Sequence, residues 1–583
     1  MIRGLAFVLV ALVANEMRGQ GLGAESLSDT SAMQLETVAE DLVEPEPDPT
    51  EDRATRATWT TSTRYAFERS AGYASNAFAG PPLAVRSRLR ARLGSHVAVV
   101  LVADHDAGEP VEFPRRVVDF TAWAVTLSGL GPLREVVLGA IRPRFGLGLS
   151  IWSGQRMTRP ASNPSSFLRP SASVRANGSA YEAEALNGLG LDLRLTSGLR
   201  IVGFAARMTR DANVDETGAV TSMSTTGLHR NDRELESDDR LTGALVGASI
   251  IFDSRPLAAG IFIGAGSTSL PIGPGERPFQ RHRFTGDRLR GGSFHLAVAF
   301  GRVFRAAGEI AVDDDGTPAG LLVARARAAR GLQLIGTWRE YPPRFNGLVG
   351  SPPGATATGN ESGWTAAIEA TSGPHRVRVF RDLYRRPWLQ SNSYRPSVNS
   401  DWGFEANREF DVVRLVVRYN SRVTNGESRS AQPGSAPYRR RGRLRVRAEF
   451  LKNRSLRPSL DLVFVGWRDD ETETGQGIGQ RLVWSATSRV AVTLGTVFFK
   501  SDSGSSGVYL YEPDLPHYLA VPLLSGSGQR VYAILTLSLS RLTTIWVKGA
   551  ATRYDEKRVI GSGVDRVTAS QLRSLSFALR FRI

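Results

Sequence analysis

The chain has 583 residues, no cysteine, and 73 basic against 57 acidic side chains, for a formal net charge of +16. Without a thiol there are no disulfide bonds, no thiol catalysis and no Cys-ligated zinc site. A soluble chain of this length usually divides into several domains, but from residue 58 to the end neither a linker composition nor a change of pattern appears.

Residues 1–24 have the pattern of a secretory signal peptide. Arg3 supplies a positive charge, Gly4 to Ala14 form an apolar stretch of suitable length, and small residues up to Ala24 offer cleavage points. This stretch is too short to span a membrane as a helix, and no run of about eighteen apolar residues follows. A membrane crossing therefore has to be made by strands.

Residues 25–57 are predicted to form a short, disordered, acidic periplasmic tail. Residues 25–52 carry ten acids, no base and three prolines, a composition that does not bury a core. Since residues 1–52 hold two of the bases and eleven of the acids, residues 53–583 hold 71 and 46, a net charge of +25. The tail is expected to bind a basic periplasmic partner, or to enter the basic remainder of the chain as an electrostatic stopper.

Apolar and polar residues alternate in many segments after residue 58. In Val85–Arg92 every second residue from Arg86 is an arginine, and Arg443–Phe450 repeats the pattern with apolar residues on the opposite face. A period of two is typical of strands with one wet and one apolar face, whereas helical periodicity never holds for long. Strands therefore dominate the prediction.

Short turns alternate with long polar loops, as in outer-membrane barrels. The predicted fold class is all-β: a single large antiparallel transmembrane β-barrel of roughly 22–26 strands over residues 58–583, preceded by the tail. A barrel that wide encloses a channel or a plug. Tight turns are predicted at Gly94-Ser95, Thr196–Gly198, Asp253–Pro256, Ser372–Pro374 and Ser540–Thr543, and long loops at 154–172, 208–240, 269–289, 342–362, 384–402, 420–441, 502–528 and 553–570.

The chain end and the aromatic residues indicate where such a barrel would lie. Leu575, Phe577, Leu579, Phe581 and Ile583 share one face of the last segment, and a barrel in lipid has to pair its last strand with its first. We predict the outer membrane of a Gram-negative-type bacterium, with outer-membrane lipids as partners and the barrel assembly machinery acting through the C-terminal strand. The aromatic residues expected at the membrane interfaces are Tyr65, Trp123, Trp152, Trp338, Trp467, Trp484 and Trp546.

The arginine ladders indicate a function for the lumen. A lipid-facing arginine at mid-bilayer costs about 2–4 kcal/mol, so the ladders are expected to face a water-filled lumen. They predict an outer-membrane channel or translocation pore that is biased toward anionic solutes or polymers. The residues predicted to line this lumen are Arg86, Arg88, Arg90, Arg325, Arg327, Arg376, Arg378, Arg443, Arg445 and Arg447.

Two other functions stay open. One is an accessory barrel that handles DNA or another polyanion, and the other is a non-conducting surface structural or adhesion barrel. An enzyme is not predicted, and neither is a cofactor or a bound metal. His229 stands beside Arg230, Asp232 and Glu234 as in some hydrolytic sites, but spacing fixes no nucleophile near it.

Two short motifs suggest ligands. Asp104, Asp106 and Glu109 share a predicted turn, where their hard oxygen atoms would suit a divalent cation. The alternative is a polar loop whose acids bind turn amides. Gly146-Leu-Gly148 superficially suggests a phosphate loop, but it does not open a helix after a parallel strand.

Several motifs also follow one another in a recognisable order. They are Asp104-His-Asp-Ala-Gly-Glu-Pro110 with Val118-Asp-Phe120, the stretch Val137–Gly154, Ser179–Gly188, Thr226–Leu235, Arg339-Glu-Tyr-Pro342, Asn360-Glu-Ser-Gly363 and Tyr511-Glu-Pro-Asp514. The set resembles large outer-membrane β-barrel proteins, common in Bacteroidetes-like bacteria, that are labelled helix-hairpin-helix domain-containing proteins. The resemblance implies a barrel over nearly the whole mature chain.

The chain also departs from this family. Ala140 and Leu147 stand where relatives carry Asp and Gln. The helix-hairpin-helix module should precede the first strand, but Pro45–Asp52 runs almost directly into Trp59. The nucleic-acid contact that the resemblance implies for relatives is therefore not carried over, and no module here supports nucleic acid as a partner.

Overall fold

A computed structural model describes residues 56–112, 118–154, 168, 172–354, 359–391, 395–425, 438–451, 455–469 and 471–583. These residues form a closed antiparallel β-barrel of 24 strands with little helix, which confirms the predicted fold class. The predicted signal peptide lies outside the described residues, and so does the tail apart from Arg56 and Ala57, which already belong to the first strand.

Twenty-four long strands form the wall, and five short strands, β6, β9, β10, β25 and β26, lie in the loops. In chain order the elements are β1 (Arg56–Ala66), α1 (Ala71–Ala74), β2 (Leu83–Leu93), β3 (Val97–His105), β4 (Phe120–Leu130), β5 (Leu133–Arg144), β6 (Ser173–Ala176), β7 (Asn187–Arg194), β8 (Leu199–Arg210), β9 (Ala212–Val214), β10 (Val220–Met223), α2 (Asp232–Ser237), β11 (Leu241–Ser254), β12 (Leu257–Ile272), β13 (Gly286–Phe300), β14 (Phe304–Asp313), β15 (Pro318–Ala329), β16 (Leu332–Tyr341), β17 (Glu361–Ser372), β18 (His375–Arg386), β19 (Ser397–Glu409), β20 (Val413–Asn425), β21 (Tyr438–Phe450), β22 (Leu456–Arg468), β23 (Thr472–Ser485), β24 (Val490–Ser501), β25 (Val508–Tyr509), β26 (Leu523–Leu524), β27 (Ser527–Ser538), β28 (Thr543–Tyr554) and β29 (Gln571–Arg582). Short 3₁₀ segments cover Glu182–Glu184, Pro278–Gln280 and Gly563–Asp565.

The barrel closes between its first and last strands. β1 pairs with β29 in antiparallel register, with Thr58 opposite Arg582 and Trp59 opposite Phe581. The amide of Ile583 donates to the carbonyl oxygen of Ala57 at 2.8 Å. No strand edge is therefore left open at this seam, as a lipid environment requires.

The two ends of the barrel differ. One end, the turn end, carries tight turns such as those at Gly94 and Gly373, whose φ angles of +63° and +53° suit glycine. The other end, the loop end, carries the long connections. In outer-membrane barrels the short turns face the periplasm. Because Arg56 pairs with Arg92 next to the first tight turn, the chain enters the barrel at the turn end.

The outer face of the wall is apolar. Ile261 and Ile263 are 60% and 67% exposed, whereas Phe262 between them is fully buried on the inner face. The same alternation recurs around the barrel, and a continuous apolar exterior of this kind is covered by lipid. The protein is thus an outer-membrane β-barrel, as its sequence predicts.

Among the described residues, no helix is long and apolar enough to cross a membrane.

The inner face is also buried in the half of the barrel nearer the loop end. Ile141, Ala311 and Tyr341 point inward from three different strands and have no exposed surface. In an open barrel of this width water would reach them. Segments of the loops therefore fold inward and pack against the wall.

Candidate functional site in the barrel lumen

The connection between β24 and β27, residues 502–526, folds into the lumen, and we call it the closing loop. Its two short strands, β25 and β26, pair with each other inside the barrel. Val508 and Leu524 of this loop are buried against Val463 and Phe499 of the wall. The closing loop therefore has a small apolar core in common with the inner wall.

Ionic contacts fix the next turn of the closing loop. Glu512 binds Arg530 Nη2 at 2.8 Å and Lys548 Nζ at 2.7 Å. Asp514 binds Lys548 at 3.1 Å and, across the seam, Arg64 of β1 at 2.7 Å. Both carboxylates are almost completely buried. These charge-assisted hydrogen bonds therefore hold the loop strongly against the wall.

The tip of the closing loop reaches β2. Arg88 donates a hydrogen bond to Nδ1 of His517 at 2.8 Å, and the guanidinium groups of Arg64 and Arg86 lie over the Tyr518 ring at 4.6 and 4.9 Å. Burial and the charges of Arg88 and Arg90 lower the pKa of His517 to about 3. The imidazole is therefore neutral and accepts from Arg88.

A second inward segment, residues 145–154, fills another part of the lumen. The buried carboxylate of Glu309 accepts from the amides of Leu147 at 2.5 Å and Leu149 at 3.2 Å. A Cβ atom on Gly146 would lie 2.6 Å from this carboxylate. The glycine motif therefore forms a turn whose amides point at one acceptor, and that acceptor is a side chain of the wall.

The inward segment 145–154 is supported by the loop after β16. Ile151 forms a parallel bridge with Val349, and Phe145 stacks on Phe262 of the wall at 4.7 Å. Trp152 is buried here, so its predicted place at a membrane interface is wrong. Loop residues from two regions of the sequence thus share one inner core.

The predicted lumen arginines divide into two groups. Those of the first group are engaged: Arg86 binds Asp104 at 2.6 Å, and Arg378 binds Glu369 at 2.9 Å. Arg445 and Arg447 bind Asp461 at 2.9 and 3.0 Å, Arg88 binds His517, and Arg443 donates to the carbonyl oxygen of Tyr509. The ladder of β21 is predicted to face water, but the closing loop and neighbouring strands cover it. Its arginines therefore bind protein groups in place of water, as buried charges require.

The second group lies near the turn end. It comprises Arg90, Arg325, Arg327 and Arg376, and the structure adds Arg305, which faces Arg325 across the β14–β15 pair. Each has the parity of inward residues on its own strand, which are Glu309 and Val323 for the arginines of β14 and β15, Asp382 for Arg376, and Arg86 for Arg90. Among the described residues, none of the five has a carboxylate within 4.0 Å. These five unpaired arginines define a region of the turn end that we call the basic vestibule.

A cavity of about 300 Å³ lies between the closing loop and the loops after β3, β5 and β8. Arg86, Arg88 and His517 line one side, and Asp106, Glu109, Asp119 and Glu182 line the other. Burial raises the pKa values of Glu109 and Glu182 to about 8 each, with nearby acids adding to the effect. The cavity thus has a basic and an acidic side.

The three predicted cation ligands do not converge on one point. Asp104 makes a two-pronged ion pair with Arg86. Glu109 instead accepts from the backbone amides of Asp106 at 2.7 Å and His229 at 3.3 Å. Among the described residues Asp104 and Glu109 therefore have separate partners, and of the three acids only Glu109 binds turn amides as the alternative predicts.

His229 is the centre of a different cluster. Its Nδ1 lies 2.7 Å from Asp119, and its Nε2 lies 3.3 Å from Asp211 and 3.4 Å from Asp238. Burial alone lowers the pKa of His229, but these three carboxylates outweigh it and raise the pKa to about 11. Arg230, beside it, is bound by Glu234 and Asp565. Sequence analysis missed the cluster because its members lie up to 110 residues from His229.

No protein-family model matches the sequence, and no curated protein matches it. Among solved structures, the siderophore receptor PirA from Pseudomonas aeruginosa is 10% identical over 91% of this chain and 81% of its own, with a TM-score of 0.43. A mutant of the ferric enterobactin receptor PfeA from the same species is 9% identical over 91% and 81%, with a TM-score of 0.44. The ferric-catecholate import receptor Fiu from K12 E. coli is 9% identical over 90% and 82%, with a TM-score of 0.38. Likeness of this degree concerns the fold alone.

Proposed function

We propose that the protein is a gated outer-membrane transporter for anionic solutes. Its own loops close the lumen from the outside, and a basic vestibule opens toward the periplasm. Passage requires the closing loop to leave the wall.

The observation that carries this proposal is the uneven pairing of charge along the lumen. Arg90, Arg305, Arg325, Arg327 and Arg376 all lie near the turn end and have no carboxylate within 4.0 Å among the described residues, although Arg378 and Arg447 at the same end are paired. Unpaired guanidinium groups in a wet, narrow space concentrate anions. Five unpaired arginines would not stabilise a barrel with a purely structural role, since like charges repel one another.

The contacts of the closing loop support a gate. They are hydrogen bonds, ion pairs and a small apolar core, all of which can break and reform. The apolar core comprises Val508, Leu510 and Leu524 on the loop side, an area much smaller than the core of a stable domain. We infer that a ligand which competes for Arg64, Arg86 or Arg88 would release the loop.

The test is planar-bilayer recording of a variant whose residues 505–522 are replaced by a short Gly-Ser linker. Under a salt gradient, the reversal potential should report anion preference. The combined substitution Arg325→Ser, Arg327→Ser and Arg376→Ser should lower that preference. Arg408→Ser is the matched control, because Arg408 lies at the same end but outside the lumen, over Phe410.

Each rival function predicts a different result. A non-conducting structural or adhesion barrel stays silent after the loop is shortened. An accessory barrel for DNA or another polyanion binds DNA with an affinity that falls steeply with salt, and does so without passing small anions. Cation preference, or equal reversal potentials for the lumen variant and the Arg408→Ser control, would contradict the proposed function.

A further inference from the structure

We propose that His229, Asp211 and Asp238 bind one divalent transition-metal ion, for which Zn²⁺ is the probe, and that Asp119 orients the imidazole ring. This site lies in the loops at the loop end, outside the lumen arginines. It does not depend on the transport function proposed above.

The two nitrogens of His229 have different surroundings. Nδ1 lies 2.7 Å from Asp119 Oδ2, which is a normal hydrogen bond. This distance is too short for Nδ1 and Oδ2 to bind the same ion. Ligand atoms about 2.0–2.2 Å from Zn²⁺ are about 3.4 Å apart at the tetrahedral angle. Asp119 therefore accepts from Nδ1–H, and this pairing leaves Nε2 as the nitrogen that can bind a metal.

The Nε2 side has the spacing of a ligand shell. Nε2 lies 3.3 Å from Asp211 Oδ2 and 3.4 Å from Asp238 Oδ1, close to the edge of a tetrahedral zinc site. The His229 side chain is only 1% exposed, and Nε2 has no hydrogen-bond partner among the described residues. A buried imidazole nitrogen without a hydrogen bond thus points between two carboxylate oxygens.

The surroundings fix the ligands and leave negative charge in excess. The amide of Asp239 donates to Oδ1 of Asp211 at 3.3 Å, which leaves Oδ2 for the ion. Three carboxylates, those of Asp119, Asp211 and Asp238, surround the single imidazole ring. Imidazole nitrogen with carboxylate oxygen is a ligand set that suits Zn²⁺ and related ions.

The positions of the ligands in the chain suggest what the ion does. Asp211 follows β8 directly, Asp238 lies three residues before β11, and His229 is in the middle of the connection. One ion would therefore join the start, middle and end of loop 211–240. Through Asp119 it would also fix this loop to the loop after β3.

The experiment uses the full chain, purified in detergent, treated with EDTA and dialysed. Titration with Zn²⁺ should load about one ion per chain, and Co²⁺ should give the visible absorption of a tetrahedral site. Asp211→Asn and Asp238→Asn each remove a ligand and should abolish tight binding. Asp119→Asn should weaken binding by about 10–100-fold, because Asp119 orients the imidazole ring and does not contact the ion. Glu216→Gln, an exposed acid in the same loop, is the control and should bind as the wild type does.

Two results would overturn the metal site. One is a wild type that loads no Zn²⁺, and the other is equal affinity in the wild type and in Asp211→Asn. In either case His229 is an imidazolium held by the surrounding carboxylates. Heat-modifiable migration on gels shows which variants fold. If neither ligand variant folds, the Zn²⁺ titration and the Co²⁺ spectrum of the wild type decide.

Discussion

Arg88 of the barrel wall donates a hydrogen bond to Nδ1 of His517 at the tip of the closing loop, at 2.8 Å. The imidazole can accept this bond only while it is neutral. Protonation would place a cation beside Arg86, Arg88, Arg90 and Arg580, whose charges all act on His517. The loop is therefore fixed to the wall by a contact that acid disrupts.

Acidification should open the lumen. His517 has a pKa of about 3 in the docked loop against about 6.5 in a free one. The docked state is therefore most stable above about pH 6.5 and loses stability as the pH falls toward 3. Conductance of the wild type in planar bilayers should rise between about pH 6.5 and 5, where ordinary carboxylates stay ionised.

His517→Gln keeps an acceptor for Arg88 without a titrating ring, so its conductance should be flat over the same range. The control is His375→Gln, which replaces an exposed histidine at the turn end. An acid-induced rise that persists in His517→Gln would show that another group is responsible.

Glu309→Gln should loosen the inward segment 145–154. The wild-type carboxyl group accepts from two backbone amides, and weakening buried hydrogen bonds costs about 1–3 kcal/mol. Hydrogen–deuterium exchange should rise in residues 145–154 and little elsewhere. Asp314→Asn, at an exposed position on the same hairpin, should leave exchange there unchanged. Equal protection in the two variants would mean that Glu309 does not hold the segment.

Arg339→Met should destabilise the barrel strongly. Arg339, Glu361 and Asp382 are all buried, with Arg339 Nη1 2.9 Å from Asp382. The substitution removes the positive charge of Arg339 from between two buried carboxylates. This should lower the free energy of unfolding by about 3–5 kcal/mol. The temperature at which the folded band is lost on gels measures the effect. Arg414→Met breaks an exposed pair with Glu409 and should cost below about 1 kcal/mol; similar shifts for both would refute the role of burial.

The acidic tail offers a prediction for the vestibule. Residues 25–52 carry ten acids, and the chain enters the barrel at Arg56, at the end where the unpaired arginines lie. In the variant with the shortened closing loop, deleting residues 25–52 should raise anion conductance, and added salt should shrink the difference. A tail of equal length with amides in place of the acids should behave like the deletion. Unchanged conductance after deletion rejects the tail as a stopper.

The strands and their faces could be predicted from sequence because lipid on one side and a lumen on the other impose a period of two. Leu575, Phe577 and Phe581 are exposed on the outer face while Ser576 and Ala578 are buried inside, as the alternation predicts. The inward folding of loops has no such signal. Residues 502–526 are rich in Gly, Ser and Pro, which is equally typical of an outward loop.

The motifs of the suspected family gain a physical meaning without proving the relationship. Arg339, Glu361, Asp514 and Glu109 all come from these motifs, and each has a buried partner inside the barrel or beneath its loops. Such partners lie far apart in the chain, so spacing alone could not pair them. The relationship to helix-hairpin-helix barrel proteins stays a prediction.

In the proposed mechanism, the closing loop shuts the lumen of a wall that would otherwise conduct. The most direct test compares the conductance of the wild type with that of the variant lacking residues 505–522 in the same planar bilayer at neutral pH. We expect the wild type to be almost silent and the variant to carry large, steady, anion-selective currents. Equal conductance in the two proteins would contradict this mechanism.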